Sequence, residues 1–435
     1  MQTEPDITSP QFLITPEPAR VDEMVAIRLV HLAPAQLITI RTIAYDETGR
    51  GWFSWATFCA DKSGMVDVSE LRPLAGSYVE CDAMGLFWSL QPLTSEPQYA
   101  YVPFKHSSLA PLAYEFSAES ENKCIATTRH ERFFQADHQI VRYPLHENGL
   151  VGTLFYPIEP GPYSCVLLFS GSSGTVREQD AALLAMHGYA ALALAYSGVA
   201  SLPRYSQEIP LEYFARAISW LRASEIVANQ KIAAMGISKG AELALLLGAT
   251  FPEIAAVVAY APSAYVYQGL GRGITSSWSY RGQPLPFVAS EPAPIFELYE
   301  QQQLAEGAPI ACCGGYLESL QHTSELEQAV IPVECIRGPI LLISGEDDQM
   351  WPSMLFAELI EQRLLEHEYP YWHQHLSYAG AGHKIGLPNL PSTVIQARHQ
   401  VSGIINDYGG TPQGNAQASR QSWQTLLDFL KQHLY

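Results

Sequence analysis

Positive charge is scarce in this chain: 25 lysines and arginines stand against 44 aspartates and glutamates, a formal net charge of −19 over 435 residues. A field of that sign argues against nucleic acid or an anionic bilayer as a partner and leaves a small molecule as the expected ligand. Long apolar runs are missing as well, so no stretch approaches the roughly 20 residues needed to cross a bilayer. Residues 1–18 carry acidic residues and prolines but no apolar core, and are not expected to act as a secretory or organelle-targeting segment. The seven cysteines (Cys59, Cys81, Cys124, Cys165, Cys312, Cys313, Cys335) are odd in number and form neither a C-x-x-C pair nor a Cys/His spacing of zinc type. Neither a disulfide framework nor a metal site is expected, and reduced thiols fit a cytoplasmic location. There is no internal repeat or low-complexity tract. At 47% hydrophobic and 16% charged, the chain is rich enough in apolar side chains to fold and long enough for two cores.

The hydrophobic rhythm changes once along the chain. Between Leu13 and Ala118 short runs alternate with period two, as in Val25–Val30 and Leu37–Ala44, broken by turn signals such as Asp46-Glu47-Thr48-Gly49. Such runs predict an antiparallel β-sandwich over residues 1–135, with Trp52, Trp55, Phe58, Phe87 and Trp88 in its core. From about Tyr143 wholly apolar strands alternate with helices. Strands are expected at Gly152–Pro157, Cys165–Phe169, Ala190–Tyr196, residues 231–235, Ala255–Tyr260 and Ile340–Ser344, and helices at Glu178–His187, Leu211–Ala223 and residues 239–249. Strands buried on both faces predict a parallel sheet covered by helices, an α/β domain over 136–435 whose ligand site lies beyond the carboxyl ends of the strands. The stretch after Ala261, rich in Tyr, Gly and Pro, interrupts this rhythm and predicts a cap-like insertion over about 262–330. Arg272 and Arg281 are its obvious cations.

One segment carries chemistry. Gly236-Ile237-Ser238-Lys239-Gly240 lies between an apolar strand and a helix-forming series, the strand–turn–helix setting of a nucleophile elbow. Glycines on both sides let the backbone take a sharp turn that lifts the Ser238 hydroxyl clear of the sheet, at a helix N-terminus that favours developing negative charge. A serine needs a base, and the base a carboxylate to orient it. The acid is expected at the end of the strand Ile340–Ile343, in Gly345-Glu346-Asp347-Asp348; Asp348 is preferred on spacing, leaving Asp347 as a helix N-cap. His383, among the glycines of Gly380-Ala381-Gly382-His383, is the expected base. His373 and His375 read as residues on a strand face. The oxyanion donors are expected to be the backbone N–H of Lys239 and an N–H from Ser170-Gly171-Ser172-Ser173-Gly174, from Ser172 or Ser173. The Lys239 side chain could be solvated or meet a substrate phosphate.

Longer matches extend well beyond the elbow. Met84-Gly85-Leu86-Phe87-Trp88-Ser89-Leu90, His187–Tyr196, Gly236–Glu242, Gly338–Asp348, Gly380–His383 and Ser422-Trp423-Gln424 resemble the type I acyl-CoA thioesterases and bile acid-CoA:amino acid N-acyltransferases, over nearly the whole chain. The resemblance implies an immunoglobulin-like N-terminal sandwich, an α/β-hydrolase catalytic domain, no cofactor and no metal, and a nucleophile, acid and base at Ser238, Asp348 and His383. It also implies an acyl-CoA or ester substrate. The conjugating members of that family use cysteine where this chain has Ser238. An acyl-serine is an oxygen ester that water can resolve, so thioester hydrolysis is expected ahead of transfer to an amino acid, with a carboxylesterase or related ester or amide hydrolase as the other reading.

Overall fold

The computed structural model describes residues 9–434 apart from 97–99, 137, 200, 272, 290–300, 304, 323–325, 400 and 401. Two compact units emerge. One ends at Phe134 and includes Leu387–Val394; the other runs from Gln135 to Gly386 and resumes at Ile395.

In the first unit, Leu37–Tyr45 and Gly51–Cys59 pair antiparallel in a seven-stranded sheet, joined by Leu112–Ser120 and Lys123–Phe133. Gln11–Thr15, Ala26–Val30 and Val66–Asp67 form a separate three-stranded antiparallel sheet. Side chains alternate between the faces of a strand, so along Gly51–Cys59 burial falls on Trp52, Ser54, Ala56 and Phe58. Trp55 has the wrong parity: it lies on the opposite face and is only half-buried, which corrects its expected place in the core. Phe87 and Trp88 are buried on a short helix, Gly85–Trp88, with Phe87 edge-on to Tyr114 at 4.8 Å. The returning segment is tied in by Asn389, whose Nδ2 donates to the Val21 carbonyl at 3.0 Å, and by the Ser392 N–H, which donates to Trp88 O at 3.0 Å. That return gives no sequence signal.

In the second unit, the order of strands across an eight-stranded sheet is Ile140–Leu145, Gly152–Pro157, Ala190–Leu194, Tyr163–Phe169, Val227–Ile237, Ile254–Tyr260, Ile340–Gly345 and His373–Tyr378. Gly152–Pro157 runs antiparallel to both neighbours, and every later pairing is parallel. The apolar runs Cys165–Phe169, Ala190–Leu194 and Ile340–Ile343 are buried throughout, as their unbroken apolar character predicts. The helices Glu178–Met186, Leu211–Ala223, Lys239–Thr250, Ser353–Glu366 and Pro412–Leu434 complete this unit. The order has a functional consequence. Tyr163–Phe169 pairs with Ala190–Leu194 on one side and Val227–Ile237 on the other, so the chain reverses its direction of winding there and the carboxyl ends leave a crevice. The loops holding Ser170–Gly174 and Ser238 both open at that point.

The stretch after Ala261 is not a structureless loop. Trp278–Tyr280 pairs with Ile209–Pro210 and Gln283–Pro284, and helices Cys313–His322 and Leu326–Ala329 follow. Tyr267 and Trp278 are buried in it. Among the described residues no helix is long and apolar enough to cross a membrane.

Candidate active site

Ser238 occupies the turn between Val227–Ile237 and Lys239–Thr250 with φ 57° and ψ −124°, a region that non-glycine residues rarely enter. The strain is held by the surroundings: the Ser238 N–H donates to Tyr260 O at 2.8 Å, and its carbonyl accepts from Ala241 and Glu242 at 2.8 and 3.1 Å. Both glycines are required by space. A Cβ on Gly236 would stand 1.9 Å from the Gly240 carbonyl oxygen, and one on Gly240 would stand 2.2 Å from that of Ser170. The close approach at Gly240 brings the 170–174 loop against the elbow.

His383 and Asp348 lie together: His383 Nδ1 is 2.8 Å from Asp348 Oδ2, with both residues buried. Asp348 is fully engaged. Its Oδ1 accepts the Met350 and Trp351 N–H groups at 2.9 and 3.2 Å, and Oδ2 accepts the Ser353 hydroxyl at 2.6 Å. Asp347, expected as a helix N-cap, is not one. The helix Ser353–Glu366 begins without a side-chain cap, and Asp347 instead accepts from Gln349 Nε2 and the Gly410 N–H at 2.6 and 2.9 Å. The two neighbouring carboxylates in the turn after the strand are held by different partners, and Asp348 is the one that meets His383. The Ser238 hydroxyl has no hydrogen-bond partner among the described residues, and its link to the imidazole is open. Such contacts commonly tighten only with substrate in place. Trp351 joins the two halves of the site, lining the cleft over Ser238 while its ring centroid lies 5.9 Å from that of His383.

That cleft spans about 420 Å³ of empty space, open solvent at its mouth included. Ser172, Ser238, Lys239 and Asn406 form its polar lining, and Leu270, Cys312, Tyr316, Met350, Trp351 and Ile404 its apolar one. Of the two candidate oxyanion serines, Ser172 reaches the cleft. Ser173 is not among the lining residues, and its hydroxyl pairs with Thr175 at 3.1 Å. Tyr196, which the sequence did not single out, fixes this loop by donating its hydroxyl toward the Ser170 and Gly171 carbonyls at 3.0 and 2.5 Å.

The Lys239 side chain is buried in an ion pair rather than solvated. Its Nζ is buried 2.9 Å from Glu242 Oε2, with the Tyr267 and Gln268 carbonyls at 3.4 and 3.5 Å. Burial pushes the Lys239 ammonium down and the Glu242 carboxyl up, while each charge favours the other. Glu242 also accepts Trp278 Nε1 at 2.7 Å and the Tyr267 N–H at 3.4 Å, binding the elbow helix to the inserted segment. Arg272 lies outside the described residues, and the Arg281 guanidinium stacks over Tyr280 at 5.1 Å. Sequence reasoning also passed over Lys384. Its ammonium lies 3.8 Å over the Tyr408 ring, and burial brings its pKa down to about 8. His373 and His375 sit on the strand His373–Tyr378, where His375 Nε2 meets Ser344 Oγ at 2.7 Å. Among the described residues no group of three or more His, Cys, Asp or Glu side chains is placed to hold a metal ion.

The family model described as BAAT / acyl-CoA thioester hydrolase C terminal matches residues 209–435, and its N-terminal counterpart, acyl-CoA thioester hydrolase/BAAT N-terminal region, matches 22–147. The chain belongs to this family. Among its relatives, acyl-coenzyme A thioesterase 1 of Mus musculus is 30% identical over 420 residues, 95% of this chain and 94% of the relative. Acyl-coenzyme A thioesterase 1 of Homo sapiens is 31% identical over 425 residues, with the same shares covered. Acyl-coenzyme A amino acid N-acyltransferase 2 of Mus musculus is 30% identical over 429 residues, 98% of each chain. The two matches fall on both units of the chain, the N-terminal model mostly on the antiparallel one and the C-terminal model mostly on the larger α/β one.

Proposed function

We propose that this protein is a serine hydrolase that cleaves the thioester of an acyl-CoA to free acid and CoA. Ser238 Oγ attacks the carbonyl carbon while His383 takes its proton, and Asp348 holds the imidazole in the required orientation. The N–H groups of Lys239 and Ser172 bind the oxyanion. The CoA thiol leaves with the proton returned by His383, and a water activated by the same imidazole resolves the acyl-Ser238 ester. The acyl group lies against the apolar wall of the cleft. The catalytic domain in this reading spans 136–435, with 262–330 as its cap, and an immunoglobulin-like sandwich spans 1–135. A cytoplasmic location agrees with the seven cysteines, all free thiols.

The observation that carries the proposal is a strained serine at a strand-to-helix turn in the same unit as a buried His383–Asp348 pair, with a cleft over the serine. Transfer to an amino acid is disfavoured because Ser238 forms an oxygen ester rather than a thioester. The test is Ser238→Ala, assayed by CoA release from a panel of acyl-CoAs and by hydrolysis of matched nitrophenyl esters. Turnover should fall about 10³-fold or more in a protein that stays folded, and a serine-directed fluorophosphonate should label the wild type alone. Hydrolysis left near the wild-type rate refutes the mechanism. A preference for nitrophenyl esters over acyl-CoAs assigns the chain to the esterases instead.

A further inference from the structure

A histidine that the mechanism does not use abuts the oxyanion loop. His399 is 8% exposed and follows the strand Gln396–Arg398, which pairs with Ile405–Asp407. Its Nε2 lies 2.7 Å from Ser172 Oγ, and its Nδ1 lies 3.2 Å from both the N–H and the hydroxyl of Ser402. A backbone N–H can only donate, so Nδ1 must present a lone pair, and a neutral imidazole then carries its proton on Nε2. The neutral form prevails near pH 7 because burial, with the Lys384 ammonium nearby, brings the pKa of His399 down to about 4.

The consequence concerns Ser172. Its oxygen accepts from Nε2–H, and among the described residues His399 is its only hydrogen-bond partner. The hydroxyl hydrogen is thereby left to be donated elsewhere, on a residue that lines the cleft with Ser238 and Lys239. We propose that the Ser172 hydroxyl is a third donor to the oxyanion, beside the two backbone N–H groups, and that His399 is the positioning residue that fixes it as a donor. This inference rests on the acyl-Ser238 reading. No proton leaves Ser172: the hydrogen bond strengthens as negative charge builds on the substrate oxygen and relaxes when the carbonyl re-forms, so its effect falls on kcat.

The experiment compares Ser172→Ala, His399→Phe, His399→Gln and the double variant Ser172→Ala/His399→Phe in acyl-CoA hydrolysis. Ser172→Ala should lower kcat by about 10²-fold with KM held within about threefold. His399→Phe should match that loss, and the double variant should be no slower than the slower single one, because both remove the same donor. His399→Gln, whose amide N–H can take the place of Nε2–H, should keep most of the wild-type kcat. An unchanged kcat in Ser172→Ala, losses that multiply in the double variant, or a Gln variant as slow as the Phe variant would each overturn the proposal. Fluorophosphonate labelling of the same variants, with Ser238→Ala assayed beside them, separates the two readings. Labelled Ser238 with an unaffected kcat removes the third donor alone, whereas an active Ser238→Ala removes the nucleophile.

Discussion

Replacing Glu242 with leucine strips one buried acceptor from three donors at once. Its carboxylate takes hydrogen bonds from Lys239 Nζ at 2.9 Å, Trp278 Nε1 at 2.7 Å and the Tyr267 N–H at 3.4 Å, with no exposed surface. Glu242→Leu leaves the ammonium buried with only two carbonyls at 3.4 and 3.5 Å. An uncompensated buried charge costs about 3–5 kcal/mol, and an orphaned indole N–H adds about 1 kcal/mol or more, so the loss should reach about 4 kcal/mol. At an m-value of about 2–3 kcal/mol/M, that is a fall of about 1–2 M in the urea midpoint, followed by tryptophan fluorescence. The pair itself contributes far less than this, because burial is the largest influence on each partner and opposes both charges. Adding Lys239→Met to Glu242→Leu should therefore recover most of the loss, since no charge is left to desolvate. A single variant within about 1 kcal/mol of wild type, or a double variant less stable than the single, would refute this account of the ion pair.

Two further outcomes follow from the site. Ser238→Gly should unfold at a higher temperature than Ser238→Ala, by an amount worth about 1 kcal/mol, because glycine enters the φ 57°, ψ −124° region without the Cβ strain; equal melting temperatures for the two would mean the turn stores no strain. His399 has a folded pKa of about 4, below its ordinary 6.5, so the folded state gives up a proton that the unfolded chain keeps. Its contribution to stability is full above about pH 6.5 and is lost as pH falls toward 4, about 2 kcal/mol of it between pH 7 and 5. The stability gap between wild type and His399→Phe should narrow by that amount over the interval, and a gap that stays constant would show that His399 takes up its proton equally in both states.

The elements of the larger unit were legible because each declares itself locally. Wholly apolar runs such as Cys165–Phe169 and Ile340–Ile343 lie in strands, and Leu211–Ala223 is a helix with the bounds expected. The return of Leu387–Val394 to the first unit was not legible, since it is held by single bonds such as Asn389 Nδ2 to the Val21 carbonyl. Trp55 was misplaced because an aromatic residue in an alternating strand suggests a core without saying which face is buried. The register of Leu37–Tyr45 against Gly51–Cys59 decides that.

By itself the sequence determined the elbow, because the Gly-x-Ser-x-Gly run between an apolar strand and a helix-forming series is a local pattern and Gly236 is demanded by a contact with Gly240 inside the turn, although the space at Gly240 is closed by the distant Ser170. Tertiary structure alone decided which of Asp347 and Asp348 turns toward His383, which loop serine reaches the cleft, that Lys239 is spent on Glu242, and that His399 stands behind Ser172. Those are contacts between residues as far apart as 172 and 399, made by single polar atoms. Periodicity records burial along a chain and carries no trace of which distant hydrogen bond a buried polar atom will find.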